Sequence, residues 1–130
     1  MSPLFPKNEE KAAREAAAFA DLERFKALAP DDLALEILPA LGPDGPRGIR
    51  FVRVQDICRW LMRSHHVGLK ASPMQLLIVV REALQRLEHA DLVWATQSDG
   101  SSQWKLTRLG EQALTAGTAA RLLGKPAGSA

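Results

Sequence analysis

The stretch from Ser72 to Leu114 constrains the fold of this 130-residue chain more than any other. It opens on Ser72-Pro73-Met74-Gln75. Ser72 can cap free backbone N–H groups there, and Pro73 suits the first position of a helix. Leu77, Val80, Leu84 and Leu87 then recur at the spacing of one helical face, which predicts a helix over Ser72–Ala90. Leu92-Val93-Trp94 begins a strand, Asp99-Gly100 marks a turn, Trp104 lies in a second strand, and Leu106-Thr107-Arg108-Leu109-Gly110 leads into another helix. A two-residue primed turn at Asp99-Gly100 sets Ala95 opposite Trp104 and Val93 opposite Leu106. These four then share the core face, while Trp94, Thr96, Gln103 and Lys105 point outward. Thr107 caps the last helix, which runs through Leu114 and can continue to Leu123 across Gly117.

Upstream, residues 1–7 hold two prolines and no periodicity and read as a flexible arm. Asn8 can cap a helix over residues 8–29, with Glu9 and Glu10 in its first turn as the helix dipole favours. Alanine dominates this helix, and its bulky residues Phe19, Leu22, Phe25 and Leu28 keep helical spacing. It either packs across the core or pairs with its counterpart in a second subunit. Asp31 and Asp32 start a further helix over Leu33–Leu41, in which Pro39 is out of place. Gly42–Gly48 is a turn-rich loop, and Ile49–Val52 suits a short strand. Val54–His66 forms the next helix, with Ile57, Cys58 and Leu61 inward and Arg59, Trp60 and Arg63 outward. Gly68 ends it, and residues 124–130 form a disordered tail.

The pattern Leu84-x-x-Leu87-x-x-x-x-Leu92-Val93, the hairpin, and Leu106-Thr107-x-x-Gly110 after it resemble the winged helix-turn-helix regulators of the MarR and PadR kind. No single family within that group is singled out. The resemblance implies an α+β, mostly α fold with five helices and a two- or three-stranded wing sheet. A winged-helix domain would cover residues 31–123, with the helix at 8–29 added in front. It also implies a non-enzymatic, DNA-binding transcriptional regulator that acts as a homodimer on double-stranded DNA, with Ser72–Ala90 as recognition helix. The contrasting reading is a winged-helix module that binds another protein through Ile78, Val79 and the hairpin. The hairpin tip departs from the MarR-like pattern. Ser98–Ser102 carries Asp99 and no arginine, so it reads as a solvated turn rather than a minor-groove contact.

Charge distribution bears on the choice. Residues 1–46 hold five Lys/Arg and nine Asp/Glu, whereas residues 47–70 hold six Lys/Arg against Asp56 alone. Arg47, Arg50, Arg53, Arg59, Arg63 and Lys70 therefore read as phosphate contacts or as a solvated basic face. A helical wheel puts Leu76, Leu77, Val80, Ala83, Leu84 and Leu87 inward. It leaves Gln75, Ile78, Glu82, Gln85, Arg86 and His89 outward, with Val79 and Arg81 at the margins. Gln75 has the side chain to bond adenine, and Ile78 can touch a thymine methyl. Ser72 and Lys70 can reach phosphates, Lys105 and Arg108 can touch the DNA backbone, and Arg86 lies on the same DNA-facing side. Phe19, Leu22, Phe25 and Trp94 are the candidate partner interface, and Trp94 is otherwise covered by the N-terminal helix through Phe19 and Phe25.

Other chemistry lacks its residues. His65, His66, His89 and Cys58 have no metal-ligand spacing, so neither a metal nor another cofactor is expected. There is no glycine-rich phosphate loop and no nucleophile elbow, which argues against an enzyme. One cysteine suits a reducing compartment. With 46% hydrophobic and 25% charged residues, no apolar run near the roughly 20 needed to span a bilayer, and no apolar signal-peptide core, the expectation is a soluble cytoplasmic protein.

Overall fold

A computed structural model describes residues 4–64, 73–98 and 100–124. In chain order these form α1 (Leu4–Ala27), α2 (Pro30–Ile37), α3 (Val54–Ser64), α4 (Leu77–His89), β1 (Val93–Ser98), β2 (Ser101–Leu106), α5 (Arg108–Ala116) and α6 (Ala119–Leu122). Single 3-10 turns cover Leu38–Leu41 and Pro73–Leu76. The architecture is α+β and mostly helical, with one antiparallel two-stranded sheet among the described residues.

The core is built around α4. Val80, Ala83, Leu84 and Leu87 are fully buried, Leu76 just ahead of the helix is buried with them, and Gln75, Ile78, Glu82, Gln85, Arg86 and His89 are exposed. Both faces agree with the helical wheel except at Leu77, expected inward and only partly buried. The first turn differs, because Pro73–Leu76 is a 3-10 turn and the α-helix proper begins at Leu77. The capping role expected of Ser72 lies outside the described residues, as do His65, His66, Lys70 and the turn at 67–71. α2 lies along α4 with Leu33 and Ile37 buried between them. Asp31 locks the pair by accepting from Arg86, at 2.6 Å from Nε and 3.4 Å from Nη2. α3 packs against both α4 and the 3-10 turn before it, burying Ile57, Cys58, Leu61 and Met62. Burial pushes the Cys58 thiol up to about 12. That keeps it a neutral, packed group with little thiolate for chemistry.

Three expected boundaries move, each for a backbone reason. α1 begins at Leu4 rather than Asn8, so residues 4–7 are helix and not arm. Pro6 does not prevent this, because the N–H it lacks is one of the donors a first turn leaves free anyway. The helix expected over Leu33–Leu41 leaves α geometry after Ile37, and Pro39 sits in the 3-10 turn that follows. The last helix does not continue to Leu123. Gly117 turns left-handed at φ 71°, closing α5, and α6 is a separate turn.

The hairpin keeps its expected register, with Val93 opposite Leu106 and Ala95 opposite Trp104. Gly100 has φ 77°, the left-handed conformation that such a turn requires of its second residue. Val93, Trp104 and Leu106 are buried as expected, but Ala95, opposite Trp104, is exposed. The strand expected at Ile49–Val52 shrinks to one bridge. Val52 and Trp104 exchange two backbone hydrogen bonds of 2.8 Å each. Gly48 is still in a left-handed turn, and Arg53 already precedes α3, so no length remains for a strand.

The junction of α4, β1 and α5 is tightly specified. Asp91 adopts φ 61° after α4, and the Asp91 and Leu92 amides return to the carbonyls of Glu88 and Leu87 at 3.0 and 2.9 Å. This is a Schellman closure with aspartate where glycine is usual. The Thr107 hydroxyl donates to the Asp91 carbonyl at 2.6 Å and accepts from the Gly110 amide at 2.9 Å, capping α5. Gly110 lies so close to the Leu92 carbonyl that a Cβ there would be 1.9 Å from its oxygen. The Leu-Thr-x-x-Gly pattern thus has a steric basis: Thr107 ties α5 to the end of α4, and Gly110 lets it approach.

Candidate nucleic-acid interface

Arg50 and Arg53 precede α3 and are exposed, as are Arg59 and Arg63, which are one turn apart on its outer side. No ion pair joins Arg50, Arg53, Arg59 or Arg63 to another described residue. Asp56, the acid of this segment, is occupied otherwise. Its carboxylate accepts from the Arg53 backbone amide at 3.2 Å and lies 3.6 Å from Arg47 Nε, so it caps α3 and holds Arg47. The four arginines therefore present uncompensated positive charge on and just ahead of the helix that packs against the start of α4.

Gln75 in the 3-10 turn and Ile78, Glu82 and Gln85 on α4 are all open. Ile78 is 73% exposed, the most open large apolar side chain among the described residues. Arg86, at the far end of the same face, is engaged by Asp31, and that hydrogen bond raises its already high pKa further. Its guanidinium belongs first to the α2–α4 contact. Ser72 and Lys70 lie outside the described residues, so the structure says nothing of their expected backbone contacts.

Lys105 takes a position that sequence spacing alone does not reveal. Because Val52 bridges Trp104, its neighbour Phe51 comes beside Lys105, whose Nζ lies 5.6 Å from the Phe51 ring centroid. Phe51 also meets Trp94 edge-to-face at 4.8 Å, with the ring planes at 78°. Trp94 is thus partnered by Phe51 and not, as expected, by Phe25, and it remains 46% exposed. The signal for Phe51 was available only once the Val52 bridge was known.

The other residues expected at a partner interface are placed differently. Leu22 and Phe25 are buried in the chain's own core, beside the α1–α2 ion pair of Arg24 and Glu36 at 3.7 Å. They present no surface to a second subunit, because the helix turned them inward to the largest apolar surface within reach. The Phe19 side chain lies outside the described residues.

Two shallow depressions, of about 150 and 220 Å³, fall below the roughly 300 Å³ at which small-molecule pockets begin. No described helix is long and apolar enough to cross a membrane. Comparison of the chain with models of known protein families, with curated proteins and with solved structures found no match.

Proposed function

We propose that this chain is a winged helix-turn-helix DNA-binding regulator that acts by binding rather than catalysis. In this reading α3 and α4 form the helix-turn-helix, β1 and β2 the wing, and α4 enters the major groove. Gln75 and Ile78 meet base edges, and Arg50, Arg53, Arg59 and Arg63 bind phosphates on either side. The observation that carries the reading is the pairing of an open α4 face with four uncompensated arginines on the adjoining segment. Two copies would join through α1, where Ala12, Ala13, Ala16, Ala17 and Ala20 are all open to a second helix. Such a regulator would work in the cytoplasm.

Anisotropy titration of random-sequence duplex DNA at two salt concentrations tests this. Four phosphate contacts predict that affinity falls roughly 100-fold between 50 and 200 mM salt, from a slope of about −0.9 per contact. Charge reversal at Arg59 and Arg63 should weaken binding and flatten that slope. Absence of binding at low salt, or binding indifferent to salt, removes the DNA reading. The exposure of Ile78 favours one second reading, a winged-helix surface for a protein partner, which then takes its place. Sedimentation at micromolar concentration decides the dimer.

A further inference from the structure

The outer face of the hairpin holds an aromatic pair, Phe51 and Trp94, that the duplex-binding reading does not use, beside the cations Lys105 and Arg53. Antiparallel pairing sets Trp94 opposite Lys105 on β1 and β2, and the Val52–Trp104 bridge brings Phe51 to the other side of Lys105. Phe51 and Trp94 meet above this strand edge-to-face, an arrangement that occupies a single face of one ring. Trp94 keeps nearly half its surface open. The Lys105 ammonium sits over the Phe51 ring, and Arg53 is exposed two residues further along the same segment. The remaining outward positions of the pair, Thr96 and Gln103, are neutral. The inner face of the same hairpin is filled by Val93, Trp104 and Leu106, so folding does not call for aromatic residues outside.

We propose that this outer face binds single-stranded nucleic acid. Unpaired nucleobases stack on the exposed indole and its phenyl neighbour, and the phosphates between them lie against Lys105 and Arg53. The two halves of the site match the two halves of a nucleotide. Flat aromatic surface recognises a base by its π-face, whatever its identity, and the flanking cations recognise the strand's charge. A duplex cannot use this face in the same way, because its bases are already stacked. An acidic peptide could satisfy the cations but has no regular supply of flat rings for Trp94 and Phe51. The site lies on the sheet and not on the open face of α4; it shares Arg53 with the duplex reading, so Trp94 on one side and Arg59 with Arg63 on the other tell the two apart.

The test compares fluorescein-labelled dT12, rU12, an abasic deoxyribose-phosphate 12-mer and a duplex on the full chain. The base-bearing single strands should bind about 5- to 100-fold more tightly than the abasic strand, the contribution expected of one stacked base. Stronger binding of dT12 or of rU12 identifies DNA or RNA as the natural strand, and either supports the site. Trp94→Ala should erase the advantage over the abasic strand, and Trp94→Phe should retain most of it. Lys105→Gln should weaken all single strands together and lower the salt slope by about 0.7. Equal affinity for dT12, rU12 and the abasic strand in the unaltered chain overturns the proposal without reliance on any variant. So does Trp94→Ala with unchanged affinity, or displacement of dT12 by a 12-residue polyglutamate as readily as by unlabelled dT12. Charge reversal at Arg59 and Arg63 should lower duplex affinity only, which separates failure of this site from failure of the duplex reading.

Discussion

α1 and α5 meet the core on opposite terms. α1 is 24 residues long, and the attachments among its described side chains lie at its C-terminal end. Leu22 and Phe25 are buried there, Leu28 just beyond is packed against the core, and Arg24 pairs with Glu36 of α2. α5 has 9 residues and is held by backbone geometry: Thr107 bonded at both ends and Gly110 pressed on the Leu92 carbonyl. Attachment through side-chain volume can relax when it is damaged, since neighbours fill in. Attachment through backbone contact has no slack. The short helix should therefore be the less forgiving of the two.

Gly110→Ala is the sharpest way to break that comparison. A Cβ 1.9 Å from the Leu92 oxygen cannot be relieved by turning a side chain, so α5 must move away from the end of α4. We expect a loss of about 4 kcal/mol by chemical denaturation, beyond the usual overpacking range, with hydrogen-exchange protection lost across the whole core. Phe25→Ala comes next, at about 3 kcal/mol for a fully buried ring. Here the loss should be local: α1 amides exchange faster while those of α4 keep their protection. If Phe25→Ala unfolds everything and Gly110→Ala is mild, the two helices are attached the other way round. Thr107→Val follows, removing both hydroxyl bonds at nearly constant volume, at about 2 kcal/mol. Thr107→Ser keeps both bonds and should cost less than about 1 kcal/mol.

The same contrast explains what could be read from sequence. α4 is legible because one helix carries its own evidence: the spacing of Leu77, Val80, Leu84 and Leu87 names the inward face without knowledge of what covers it, although Leu77 itself is only half-buried. The hairpin register followed from Asp99-Gly100 and strict alternation, and the Thr107 cap from local chemistry. What escaped lies in pairings distant along the chain. Periodicity showed that Leu22 and Phe25 share an apolar face but not that the chain's own core would cover it. Arg86 was read as free because its partner, Asp31, is 55 residues away. Phe51 was missed because only the bridge between Val52 and Trp104 brings it to Lys105 and Trp94. The start of α1 is hidden for a local reason: two prolines and no periodicity make residues 1–7 read as an arm, whereas a first turn tolerates Pro6. The arginines of residues 47–63 were visible as a charge run. Their freedom depended on Asp56 being committed to capping α3 and to Arg47, which the sequence does not state.

The smallest predicted effect has the opposite sign and probes the α5 junction from its other side. Asp91 holds φ 61°, a conformation that glycine adopts without the steric cost an L side chain incurs. Its carbonyl, and not its side chain, receives the Thr107 hydroxyl, so Asp91→Gly leaves the bond between α4 and α5 in place. Removing the side chain relieves about 1 kcal/mol of backbone strain, less for aspartate than for most residues. It also frees the unfolded chain, at a cost of about 0.4–1 kcal/mol. The balance should be a gain of up to about 0.5 kcal/mol, read as a higher denaturation midpoint with the slope unchanged. Asp91→Val, β-branched at the same φ, should destabilise, and its loss should approach that of Thr107→Val because both loosen the same turn. A loss greater than about 1 kcal/mol in Asp91→Gly would mean that the carboxylate itself contributes to the junction. The backbone account of α5's attachment would then be incomplete at the residue where α4 ends.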